Sequence, residues 1–90
     1  MTTVSDYYGL TIQELTGPTR KREITVPRQI AMYLTREMTG MSLPQIGSVF
    51  GGRDHTTVMH SCKIVEANRA TNPNMGMVVE DVKRLVKNAQ

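Results

Sequence analysis

Ser42-Leu43-Pro44-Gln45-Ile46-Gly47-Ser48-Val49-Phe50-Gly51-Gly52-Arg53-Asp54-His55-Thr56-Thr57-Val58-Met59-His60 is the stretch on which the fold turns. It reads as two helices joined by a tight corner. Ser42 is placed to cap the first helix, with Gln45 at its third position reaching back and Met41 able to staple onto Ile46. Leu43, Ile46, Val49 and Phe50 are expected to face inward. Gly51 and Gly52 then turn the chain. Asp54 is a good cap for a second helix, so His55, Thr56 and Thr57 fall in its first turn. Behind that polar tip, Val58, Cys62 and Val65 recur at i, i+4 and i+7 and mark one apolar face. A short capped helix, a turn of about three residues and a longer helix with a polar tip spell a helix-turn-helix over about 42–70. A plain helical hairpin with a well-capped second helix fits the same letters. The tip and the basic segment upstream favour a DNA reader.

The chemistry of the tip follows from where it lies. The first N–H groups of a helix have no intrahelical partner, and the helix dipole is positive there. Such an end favours anions, phosphate among them. Asp54, His55, Thr56 and Thr57, beside Arg53, can meet base edges. Asp54 can accept from a cytosine amino group, and each threonine offers a methyl to thymine and a hydroxyl to a base edge.

Upstream, Thr19-Arg20-Lys21-Arg22-Glu23 is the densest positive run and lacks an apolar period. It reads as a loop, a basic arm over 18–24, set directly before a third helix that Pro27 would open. In that helix Ile30, Leu34, Met38 and Met41 form one stripe, Arg28, Gln29 and Arg36 lie off it, and Gly40 is expected to end it with a left-handed cap. Leu10-Thr11-Ile12-Gln13-Glu14-Leu15 carries a capping box, closed by Gly17-Pro18, and Thr3 starts a weaker one for a short first helix. Downstream, Asn72-Pro73 opens a last helix whose apolar stripe runs through Met75, Val78, Val79, Val82, Leu85 and Val86. Its expected work is packing and closure.

Composition narrows the class. Ninety residues make one domain, 1–90, all-α, with a modest core. Seven methionines, one phenylalanine and no tryptophan make that core aliphatic and methionine-rich. A net charge of +3 suits an anionic partner. The single cysteine excludes an intrachain disulfide and fits a reducing compartment. No apolar run has membrane-spanning length and no signal peptide is seen, so a soluble cytoplasmic protein is expected. A metal enzyme is disfavoured, because His55, His60 and Cys62 spread over about a third of the helix circumference or more. A helical adaptor for an acidic protein partner is the open alternative.

Residues 51–60, Gly51-Gly52-Arg53-Asp54-His55-Thr56-Thr57-Val58-Met59-His60, resemble the signature of the C-terminal DNA-binding domain of the bacterial chromosomal replication initiator DnaA. Val4-Ser5-Asp6-Tyr7-Tyr8, Pro27-Arg28-Gln29-Ile30-Ala31-Met32 and Ser42-Leu43-Pro44-Gln45-Ile46-Gly47 resemble that family's blocks in the same order. The likeness is close over 4 to about 66; beyond it only an amphipathic helix is shared. It implies a Trp-repressor-like helix-turn-helix fold that binds nonamer boxes at the replication origin as a monomer. It further implies base contacts by Asp54, His55, Thr56 and Thr57 in the major groove and by Arg20 in the adjacent minor groove. Lys21, Arg28, Gln29, Arg53 and Pro44, the last through its backbone, would hold phosphates. Regulatory proteins of initiation are implied as further partners and the nucleoid as the place of action. The ATP site of the full-length family has no counterpart here, since no Gly-x-x-x-x-Gly-Lys-Ser/Thr stretch occurs.

Overall fold

The computed structural model describes residues 2–88. Six α-helices are found among them: α1 (Thr2–Tyr8), α2 (Ile12–Thr16), α3 (Arg22–Met38), α4 (Leu43–Val49), α5 (His55–Thr71) and α6 (Pro73–Asn88). The fold is all-α. The caps read at Thr11, Ser42, Asp54 and Asn72 are formed. Thr11 and Glu14 close a capping box on α2, and Ser42 and Gln45 close one on α4. Asn72 Oδ1 accepts from the amides of Asn74 and Met75 at the start of α6. The first helix already includes Thr2, so Thr3 is not its cap. What stops it is Gly9, at φ 66°, which lets the Leu10 amide return to the Ser5 carbonyl at 2.9 Å.

α3 is the central rod and touches each of the other five helices. It departs from expectation in three ways. It begins at Arg22, five residues before Pro27, which becomes an interior proline. The missing Pro27 N–H costs one helical bond, but the added turn buries Ile24 beside Pro27. The signal lay in Ile24, Pro27 and Ala31, spaced i, i+3 and i+7. Consequently the arm is shorter than 18–24, and Arg22 and Glu23 belong to the helix. Second, the helix is not one-faced, for Ile30 to Leu34 are all buried, packed on several sides at once. Third, Gly40 is not a left-handed cap. The helix ends at Met38, and Thr39 satisfies the Thr35 carbonyl with both its amide (3.1 Å) and its hydroxyl (2.6 Å).

The two helices of the motif close around Phe50, which is fully buried together with Ile46, Val58 and Val65. Val49 is 45% exposed, contrary to the inward reading. It lies roughly 110° around α4 from the face shared by Leu43, Ile46, Gly47 and Phe50. The corner needs three glycines rather than two. Gly51 and Gly52 take φ of 84° and 76°. Gly47 lets the Arg53 backbone pass, since a β-carbon there would sit 2.0 Å from the Arg53 carbonyl oxygen. α6 closes the core with Val79 and Val82, while Leu85, expected on its stripe, is 41% exposed. A polar chain ties α3, α5 and α6 together: Tyr33 donates to Glu66, and Arg69 donates to Tyr33 and pairs with Glu80.

Candidate nucleic-acid interface

The tip of α5 stands in solvent. Asp54, His55, Thr56 and Thr57 are all exposed, whereas Val58, one residue on, is fully buried. Asp54 Oδ1 accepts from the Thr56 amide at 3.0 Å and from the Thr56 hydroxyl at 3.1 Å, and His55 Nδ1 lies 3.1 Å away. These bonds, the Thr56 amide's first, hold the Asp54 carboxyl below its ordinary range. All three contacts converge on one oxygen. Oδ2 has no hydrogen-bond partner among the described residues, so one carboxylate can cap the helix and still accept from a base.

Facing the tip is the arm between α2 and α3. An open cleft of about 600 Å³ runs between them, with Arg20 on the arm side, Thr57 on the helix side, and Arg28, Arg53 and Thr25 in its walls. Arg20 and Lys21 are exposed, but Lys21 lines a second groove with Thr11, Glu14 and Ile24. Gln29 is half-buried on α3, and Pro44 is exposed in the first turn of α4. Pro44 has no N–H, so it cannot donate a hydrogen bond to phosphate through its backbone; its carbonyl is an acceptor only. Thr25, which the sequence did not single out, has a buried hydroxyl without a hydrogen-bond partner among the described residues.

Arg28 is only 5% exposed, not on an open face of α3 as its position off the stripe suggested. Its Nε donates to the Leu15 carbonyl at 2.6 Å, Nη1 to Thr19 at 2.9 Å and Nη2 to Glu14 at 3.1 Å. Arg53 is half-buried. Its Nη1 donates to the carbonyls of Thr16 (3.0 Å) and Phe50, and its Nη2 to Gly17 at 2.6 Å. Burial lowers the pKa of both guanidiniums, and for Arg28 the charge of Arg53 adds to the effect. Both keep their charge, because guanidinium does not release a proton in proteins. Three donors of each are therefore committed to backbone, and two remain.

His60 is exposed on α5 and Cys62 is buried, with burial raising its thiol pKa. Among the described residues no three His, Cys, Asp or Glu gather in a metal-binding group, and no helix is long and apolar enough to cross a membrane.

A short capped helix, a glycine corner and a second helix with a projecting polar tip, flanked by a basic arm, define a DNA-binding helix-turn-helix module. Residues 1–65 match the family model described as bacterial dnaA protein helix-turn-helix, and the chain belongs to that family, as a non-catalytic domain whose partner is double-stranded DNA. It is 50% identical over 84 residues to the chromosomal replication initiator protein DnaA of Latilactobacillus sakei, a match that covers 93% of this chain and 19% of that protein. The DnaA protein of Bifidobacterium animalis is 63% identical over 60 residues, 67% of this chain and 10% of the relative. That of Laribacter hongkongensis is 43% identical over 86 residues, 96% of this chain and 18% of the relative. The chain thus spans about a fifth or less of these proteins.

Proposed function

We propose that this domain recognises short asymmetric nonamer boxes of a bacterial replication origin, as a monomer, and so serves the initiation of chromosome replication. The observation that carries the reading is the cleft that sets Arg20 opposite the exposed tip of α5. In this reading Asp54, His55, Thr56 and Thr57 enter the major groove and read base edges. Arg20 enters the neighbouring minor groove, where a narrow A·T tract concentrates negative potential. Lys21 and Gln29 hold phosphates on the flanks, and beside Pro44 the Leu43 amide is the first-turn donor of α4 that neither proline nor the capping box removes. Arg28 and Arg53 contribute charge and their remaining N–H groups at the cleft wall. The relatives' name, chromosomal replication initiator, supports the biological role, and a domain that binds the origin would act on the nucleoid. Contacts with regulatory proteins of initiation belong to the same proposal.

A gel shift tests it, comparing an origin-type nonamer duplex with a scrambled one at moderate salt. Tight binding to the nonamer alone, with a log–log salt slope of roughly −4, is the expected result. Equal binding to both duplexes would reduce the domain to a non-specific binder. No binding to either would favour an acidic protein as the partner of the arm.

A further inference from the structure

We propose that Arg28 and Arg53 form a clasp that fixes the basic arm against the reader helix, which makes them positioning residues for minor-groove recognition; this rests on the DNA-binding reading above. Together they donate to every carbonyl from Glu14 to Thr19 except that of Pro18. These are the orphan carbonyls at the end of α2 and the backbone of the arm itself. The two arginines come from different elements. Arg28 lies on α3, and Arg53 immediately precedes the Asp54 cap of α5. Arg53 also binds the Phe50 carbonyl, so the corner of the motif and the root of the arm share one guanidinium. Gly51 permits the approach, because a β-carbon there would lie 2.2 Å from the Thr16 carbonyl oxygen.

The physical consequence concerns ordering. A duplex presents its major and minor grooves at a set offset. Two reading elements act together cheaply only if their separation is fixed before binding; otherwise the loose one must be ordered on the DNA. Arg20 follows Thr19, whose carbonyl Arg28 holds at 2.9 Å. The clasp therefore delivers the minor-groove side chain from a fixed root. Lysine would keep the charge but not the planar fork that reaches three carbonyls at once.

Three measurements test the clasp. In the free wild-type protein, the Arg28 Nε–H should give a proton resonance protected from exchange at neutral pH; rapid exchange would overturn the proposal without any variant. In limited trypsin digestion of the free protein, Arg28→Lys and Arg53→Lys should be cut at Arg20, Lys21 and Arg22 roughly tenfold faster than wild type. Circular dichroism should show their helices intact, and unchanged cleavage in both would overturn the proposal. On nonamer DNA, Arg28→Lys should lose roughly tenfold in affinity, as much as Arg20→Ala, and the double variant no more than either. Discrimination at the base pairs read by His55 and Thr56 should not move. Additive losses would mean that Arg28 holds phosphate directly and does not act through Arg20. Should Arg20→Ala bind like wild type while the arm of the lysine variants opens, the minor-groove reading fails, and the protease result, which involves no DNA, identifies that as the failing part.

Discussion

The tip of α5 and the arm before α3 face each other across one cleft, yet they are built by opposite means. The tip is made by its own neighbours: Asp54 caps the Thr56 amide two residues away, and Val58 anchors the turn below. The arm has only a long local bond, from the Lys21 amide to the Thr19 hydroxyl at 3.3 Å. Its root is held by guanidiniums 9 to 14 residues away in the case of Arg28 and 36 or 37 residues away in the case of Arg53. Local construction leaves the tip's side chains free to meet a partner. Remote construction spends three of the five donors of each arginine on the backbone, while both keep their charge at the cleft wall.

The largest effect should come from removing what both regions rest on. Phe50→Ala should lower stability by ~3–5 kcal/mol, because the ring is fully buried under the corner. Urea denaturation checks this, and a loss under 1 kcal/mol would show that α4 and α5 do not depend on one shared core residue. Next come the two glycines of the corner, which separate remote from local cost. Gly51→Ala should cost roughly 2–4 kcal/mol, since strain at positive φ is joined by collision with the Thr16 carbonyl at the root of the arm. Gly52→Ala has nothing within 4 Å of the new carbon and should cost only the strain, about 1–2 kcal/mol. Equal losses would mean that the corner and α2 are not in contact.

Third, His55→Ala and Thr56→Ala should leave the melt unchanged and each remove ~1–3 kcal/mol of specific binding, relaxing discrimination at one or two adjacent base pairs. If both duplexes weaken equally, the tip does not read bases. The smallest effect is on acid sensitivity. The Asp54 carboxyl titrates below its usual 3.8 in the folded state, so its contribution is present above that value and is lost as pH falls through the folded pKa. Asp54→Asn keeps a capping side chain without a titration. Between pH 6 and pH 3 its melting temperature should therefore fall slightly less than that of the wild type; equal falls would show the cap to be insensitive to charge.

Much of the frame was legible. Capping boxes at Thr11 and Ser42, the Asp54 cap and the Asn72-Pro73 start depend on residues three or fewer positions apart, and each formed as read. The failures share a cause. Val49, Leu85 and the supposed loop at Arg22 were read from a single apolar pattern, and their burial was decided by which neighbouring helix lay beside them. α3 shows this best, for a rod wrapped by five partners cannot announce its faces by one stripe.

Arg28 marks the limit most sharply. In the sequence it is a cation next to Pro27 and Gln29, off the apolar stripe, and phosphate is its natural partner. The sequence by itself determined the presence of the helices, the caps at Thr11, Ser42, Asp54 and Asn72, the Gly51-Gly52 turn and the polar tip, because those rest on short-range hydrogen bonding and periodicity. Only the tertiary structure decided that Arg28 and Arg53 turn inward. The end of α2 comes to rest against α3 and the corner with its carbonyls unpaired, and a planar guanidinium with several donors can satisfy them where burial limits access to water.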